Sequence, residues 1–207
     1  MEQKYCITIA RQFGSLGRQI GKQLAKELDI AYYDRELLEH AAESMGLPVS
    51  SLADLDDKMS GTFQKMLYPL GISSSATQSK LFEVQKTMIL DAANKSSCVI
   101  VGRCADYILK NRDANEEYGT VTIISEENDV YCVSNCISDL HLYPEEAKHL
   151  MNNVDKARRL YHKFYTGCDF DGIAGKHILI DSGAFGLDGS VALLKKAASQ
   201  KFVLSNP

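Results

Sequence analysis

At 207 residues the chain is long enough for one domain with a substantial core, 1–207. A net charge of −4 excludes a protein built to coat nucleic acid, and a hydrophobic content of 45% is that of an ordinary globular chain rather than a disordered one. No apolar run approaches the roughly twenty residues that span a bilayer. Arg11 and Gln12 come too early for a signal peptide, so a cytoplasmic protein without a membrane partner is expected.

The first element is a strand over Tyr5–Ala10. It breaks into the loop Gly14-Ser15-Leu16-Gly17-Arg18-Gln19 and restarts as a helix with Ile20, Leu24 and Leu28 on one stripe. A strand that turns through glycines into a helix points backbone N–H groups at one spot and adds the partial positive charge of the helix N-terminus, a geometry that binds phosphate. A second strand, Ala31–Tyr33, ends in Asp34-Arg35. The segment Ser60–Ser79, rich in Ser, Thr and Gly with Pro69, reads as a loop or a mobile flap. A helix follows with Leu81, Val84, Met88 and Ala92 on its apolar stripe, then a third strand, Cys98–Val101, running into Gly102-Arg103. Asn111–Gly119 reads as a polar surface loop before the fourth strand, Thr120–Ile124. A long helix is marked by Ala147, Leu150, Val154, Ala157 and Tyr161, a fifth strand by His177–Ile180, and a last helix by Val191–Ala198. Strands alternating with helices argue for a parallel sheet covered on both faces, with right-handed crossovers.

The full phosphate-loop pattern is G-x-x-x-x-G-K-[ST]. Here Gln12 replaces its first glycine, Arg18 stands for the lysine and Gln19 for the magnesium-binding hydroxyl. Arginine pairs bidentately with phosphate oxygens, whereas glutamine is a poorer magnesium partner than a hydroxyl. Asp34, Arg35 and Arg103 lie at C-terminal strand ends, where open parallel sheets bind ligands. Asp155 and Arg158 are one helical turn apart and can face one ligand. Each has a plainer alternative: a glycine turn with a solvated arginine, a helix cap, a surface ion pair. Six scattered cysteines read as small buried hydrophobes. Cys132 and Cys136, with His141 and His149 downstream, match no common zinc spacing.

In the order ITIARQFGSLGRQIGKQLAKELDIAYYDRELL, VIVGRCADYIL, DKARRLYHKFYTG and HILIDSG, the chain resembles the cytidylate kinase-like proteins of bacteria, P-loop relatives of the nucleoside monophosphate kinases. The resemblance covers nearly the whole chain and rests on the combination of motifs. It implies a three-layer α/β fold of the P-loop NTPase type: a five-stranded parallel sheet in order 2-3-1-4-5, helices on both faces, a flap at about 50–95 and a helical lid at about 126–167. It also implies transfer of the ATP γ-phosphoryl group to a nucleoside monophosphate such as CMP, with Mg2+. By position, Gly14, Ser15, Gly17, Arg18 and Gln19 would form the ATP phosphate loop. Asp34, Arg35, Arg103, Asp106 and Asp155 would surround the acceptor, and Arg158 would reach the transferred phosphate from the lid, beside Arg159. No protein metal ligand is assigned, and the expected partner is a small nucleotide rather than nucleic acid.

The chain departs from the family at the lid. The family usually supplies an arginine after strand four, but here the segment carries Glu126, Glu127 and Asp129, and no Arg or Lys occurs from Ser125 to Ala147. Met151 stands one turn before Asp155, where related kinases carry another arginine. Carboxylates near phosphates repel the substrate. Three readings follow: an active kinase with an economical lid in which Arg18, Arg158 and Arg159 act, a catalytically weak nucleotide- or phosphate-binding module, and an interaction protein on the same scaffold. His162, in the aromatic run Tyr161–Tyr165, reads as a partly exposed helix residue and not as a catalytic base, since a phosphate acceptor is already anionic. The acceptor base and the oligomeric state are left open.

Overall fold

A computed structural model describes residues 4–34, 75–110, 117–124, 129–172 and 175–202. Along the chain run β1 (Tyr5–Arg11), α1 (Gly17–Glu27), β2 (Ala31–Tyr33), α2 (Ser75–Lys95), β3 (Cys98–Val101), α3 (Ala105–Lys110), β4 (Glu117–Ile124), α4 (Asp129–Leu140), α5 (Pro144–Thr166), β5 (Ile178–Asp181) and α6 (Ser182–Lys201). The strands form one parallel sheet in the order β2-β3-β1-β4-β5, the order the family resemblance implied. β1 is central, with Ile9 opposite both Val101 of β3 and Val121 of β4.

Side-chain alternation along the strands builds two cores. On one face Ile7, Ile9, Val99, Val101, Val121 and Ile123 pack against Ile20 and Leu24 of α1 and Val191 and Leu194 of α6. On the other, Cys6, Cys98 and Ile100 meet Phe82 and Ile89 of α2 and Ile108 and Leu109 of α3. Each fully buried aliphatic side chain contributes about 1.5–3 kcal/mol of transfer free energy. Tyr161 and Tyr165 of α5 join the second core, and the Tyr165 ring stacks on Phe82 at 4.0 Å between centroids. Phe164 of the same aromatic run is 70% exposed, so it does not pack the helix to the sheet. A third, smaller cluster holds α4 and α5 together through Cys132, Val133, Cys136, Ala147 and Met151, with Phe13 of the glycine loop packed against it.

Several boundaries differ from the sequence reading. β4 begins at Glu117, so Glu117–Gly119 is strand and not surface loop; Tyr5 and Ile7 of β1 supply the pairing that the polar letters conceal. α2 is already helical at Ser75, so the last residues of the segment taken for a flap belong to a helix, while 60–74 lie outside the described residues. Its buried face is Phe82, Gln85, Met88, Ile89, Ala92 and Ala93, turned slightly from the stripe drawn through Val84. α6 starts directly after β5, well before Val191. The Asp181 carboxylate accepts the Gly183 N–H at 2.8 Å and caps it, and the helix passes through a kink at Gly186.

Candidate phosphate-binding site

The glycine loop leaves β1 and turns through Gly14 (φ 78°) and Leu16 (φ 55°), both left-handed. Its carbonyls and one amide are tied down from three sides. The Ser15 hydroxyl donates to Gln12 O (2.9 Å), the Ser182 hydroxyl to Ser15 O (2.8 Å) and the Asn135 amide of α4 to Gly14 O (2.8 Å), while Phe13 N–H donates to Asp155 Oδ1 (2.8 Å). α1 then begins at Gly17 with no side-chain cap and no acidic residue in its first turn. Its dipole and its first amides are therefore free of a carboxylate competitor on the helix itself, which suits an anionic ligand.

α4 lies directly on the loop. A Cβ on Gly14 would collide with the backbone carbonyl of Cys132, and no L side chain adopts its φ without strain. Gly14→Ala is therefore expected to push α4 off the loop and to cost about 2–3 kcal/mol, as backbone strain of this kind does. A thermal-unfolding midpoint equal to that of the wild type would refute the close approach.

Arg18 projects from α1 with its side chain 52% exposed, and its Nε lies 2.7 Å from Asp34 Oδ2 at the end of β2. Buried Asp34 also accepts the Tyr32 hydroxyl at 3.2 Å. Burial and the Asp34 charge push the Tyr32 phenol well above its ordinary range. The Gln19 amide reaches Asp139 of α4 at 3.4 Å. Arg35 lies outside the described residues.

At the end of β3, Gly102, Arg103 and Cys104 are all left-handed, with φ of 86°, 58° and 55°. For the two non-glycine residues this conformation costs on the order of 1 kcal/mol or more each and persists only where the surroundings impose it, a pattern concentrated at functional sites. Here the Gly102 N–H donates to Ile9 O at 2.9 Å, and the Arg103 guanidinium donates to the Tyr161 hydroxyl oxygen of α5.

From α5, Arg158 turns inward. Its Nη1 donates to Arg11 O and to Asp155 Oδ1, both at 3.2 Å, and its Cζ sits 5.4 Å from the Phe13 ring centroid. Burial raises the Asp155 carboxyl pKa, against the opposing pull of Arg158 and the Phe13 amide. Arg159 turns the other way and pairs with Asp171; that hydrogen bond raises its pKa. Met151 is buried in the α4–α5 cluster, so the position that carries an arginine in related kinases here packs the lid.

Asp106 is engaged in a separate buried cluster. It accepts hydrogen bonds from His162 Nε2 (3.2 Å) and from Lys176 Nζ, joining α3, α5 and the segment before β5. His162 is only 5% exposed, which corrects the expectation of a partly exposed residue: its ring fills the space between Asp106, Cys168 O and Phe170. Cys132 and Cys136 face the lid core while His141 and His149 are exposed, and burial pushes the Cys136 thiol up to about 11.

The structure thus gathers Gly14, Ser15, Gly17, Asp155 and Arg158 at the C-terminal edge of β1, with the Arg18–Asp34 pair alongside. Arg159 and Asp106 are committed elsewhere. One residue that the sequence reading passed over joins the group: Arg11, whose neighbours include Arg158, Arg103, Tyr32 and Asp155. The signal available in the sequence was its place as the last residue of the central strand, immediately before the loop.

Among the described residues the donors do not fit a magnesium ion ligated directly by protein. Gln19 replaces the hydroxyl and is turned to Asp139, Asp34 is held by Arg18 and Tyr32, and no group of three or more His, Cys, Asp or Glu suited to a metal occurs among the described residues.

A parallel sheet in this order, with a glycine loop entering α1 and arginines converging above it, defines a P-loop protein of the kinase type. The chain belongs to the cytidylate kinase-like family, whose model matches residues 6–184. Comparison with curated proteins finds no match. Among solved structures, an uncharacterized protein from Eubacterium ventriosum ATCC 27560 is similar at a TM-score of 0.70 and 23% identity, covering 94% of this chain and 98% of that one. Shikimate kinase from Bacteroides thetaiotaomicron is similar at 0.53 and 13%, covering 94% and 98%. Shikimate kinase from Acinetobacter baumannii, in complex with shikimate, is similar at 0.51 and 11%, covering 96% and 95%. At these identities the likeness is one of fold. No described helix is long and apolar enough to cross a membrane.

Proposed function

We propose that the protein is a phosphotransferase that moves the γ-phosphoryl group of ATP to CMP or a similar nucleoside monophosphate. The observation that carries this reading is the convergence of Arg103 and Arg158 on the end of β1, beside the uncapped N-terminus of α1, with Asp155 as the one carboxylate among the described neighbours of Arg11 there. An acceptor phosphate oxygen attacks the γ-phosphorus, the bond to the β,γ-bridging oxygen breaks, and ADP leaves with that electron pair. The acceptor is already anionic, so no base is needed, and catalysis consists of positioning and charge stabilisation.

In this reading the loop amides and Arg18 hold the donor phosphates, with Asp34 fixing the Arg18 fork. Arg103 holds the acceptor phosphate and Arg158 stabilises the group in flight. Magnesium enters with the nucleotide, and no step depends on a protein ligand to it. The chain acts as one cytoplasmic domain, with α4 and α5 as lid, on small nucleotides rather than nucleic acid or membrane.

One observation favours a second reading, a binding module that turns over slowly. The Phe13 amide of the loop is occupied by a lid carboxylate, Asp155, and the described lid turns only Arg158 towards the loop. An ADP-release assay with ATP, magnesium and a panel of monophosphates, CMP and dCMP first, separates the two. Turnover that requires one monophosphate and falls about a hundredfold or more in Arg18→Ala is expected, the scale on which a preorganised charge partner acts. ATP-dependent thermal stabilisation without turnover would favour the binding module.

A further inference from the structure

We infer that Arg11 is a third phosphate-binding guanidinium, grouped with Arg103 and Arg158 around the transferred group. This rests on the phosphate site of the reading above, though not on which acceptor is used or whether transfer follows. The first support is steric. The Arg11 side chain leaves β1 beside Gly17, where an added Cβ would lie 2.5 Å from Arg11 Cβ and 2.9 Å from its Cγ. Its guanidinium ends against Gly102, where an added Cβ would lie 2.5 Å from Nη1 and 3.3 Å from Cζ. Two glycines on two different strand-to-helix connections thus leave room for one arginine, and any side chain at either would displace it.

The second support is charge. Among the described residues the Arg11 guanidinium makes no hydrogen bond and no ion pair, although its backbone carbonyl accepts from Arg158. Its charged neighbours among the described residues are Arg158, Arg103 and a single carboxylate, Asp155, which is already bonded to Phe13 N–H and Arg158. Burial, then Arg158 and Arg103, press its pKa down, yet arginine keeps its proton in proteins. A half-buried guanidinium with like-charged neighbours and no acid of its own among the described residues is placed to be completed by an anion. A phosphate group fits, since its oxygens accept the bidentate fork.

The test is calorimetric titration of inorganic tripolyphosphate into the wild type, Arg11→Met and Arg11→Lys, with ligand-free melting and ADP release measured on the same samples. Arg11→Met is expected to lose at least tenfold in tripolyphosphate affinity while its ligand-free midpoint stays equal or rises, because repulsion from Arg103 and Arg158 is relieved. A purely structural arginine would lower the midpoint instead. Arg11→Lys, which keeps charge and stem without the fork, is expected to lose at least threefold, and it decides the matter if Arg11→Met does not fold. Wild-type tripolyphosphate affinity in the variant that decides overturns the inference, as does a wild type that binds no tripolyphosphate. Arg11-dependent binding without transfer to any monophosphate leaves the inference standing and removes the kinase reading.

Discussion

Arg158→Ala is expected to lower turnover by about a thousandfold, the scale on which an arginine acts on a phosphoryl transition state, while ATP affinity falls no more than about tenfold. Arg158 is the cation that the lid turns towards the loop, with its side chain 14% exposed. It is positioned three ways: by the Arg11 carbonyl, by Asp155 and by the face of Phe13. A group fixed in advance stabilises charge that develops in the transition state without reorganising, so its removal falls on kcat more than on KM. Arg158→Ala also strips buried Asp155 of its main partner, so the thermal midpoint falls. Arg158→Lys retains the charge and separates the effects: a lysine variant with restored midpoint and still depressed kcat assigns the loss to the guanidinium. Steady-state kinetics within tenfold of the wild type for Arg158→Ala would reduce the residue to a structural tie.

Asp106→Asn is expected to destabilise the protein by about 3–5 kcal/mol, the cost of leaving buried charge without its partner. Lys176 is 4% exposed in its side chain and His162 6%, and Asp106 serves both. Burial by itself would raise the Asp106 carboxyl pKa, but the hydrogen bond from His162 and the charge and hydrogen bond of Lys176 outweigh it and hold the group well below the ordinary carboxylate range. A folded pKa below the unfolded one means that the unfolded chain binds more protons in that window. The stabilisation is complete above the unfolded pKa of about 4 and is lost as pH falls through the lower folded value. Urea titrations between pH 3 and 7 are expected to show this acid loss in the wild type and a flatter profile in Asp106→Asn. The cluster ties α5, which carries Arg158, to α3 beside Arg103. Parallel profiles in the two proteins would show that Asp106 carries no such coupling.

The motif residues were readable because local chemistry sufficed. A strand breaking at Gly14 and Gly17 into an amphipathic helix marks a glycine loop at a helix N-terminus, and the charged residues after β2 and β3 fall at strand ends by simple alternation of elements. The choice between Arg158 and Arg159 was not readable. Both lie on one helix, and only the packing of α5 against Phe13 sends one to the loop and the other to Asp171. The His162–Asp106–Lys176 cluster was not readable for the same reason: the Asp106 contacts join residues 56 and 70 positions apart in the chain. Glu117–Gly119 looked like loop because a strand whose hydrogen bonds come from β1 needs no apolar letters of its own.

The sequence by itself determined the alternation of strands and helices, the glycine loop between β1 and α1, and the family to which the chain belongs, since each is written in short-range spacing and motif order. The tertiary structure alone decided which cations meet. Arg11, Arg103 and Arg158 lie far apart in sequence on β1, the β3–α3 connection and α5, and their shared site exists only because the parallel sheet brings strand ends to one edge and two glycines leave the space between them.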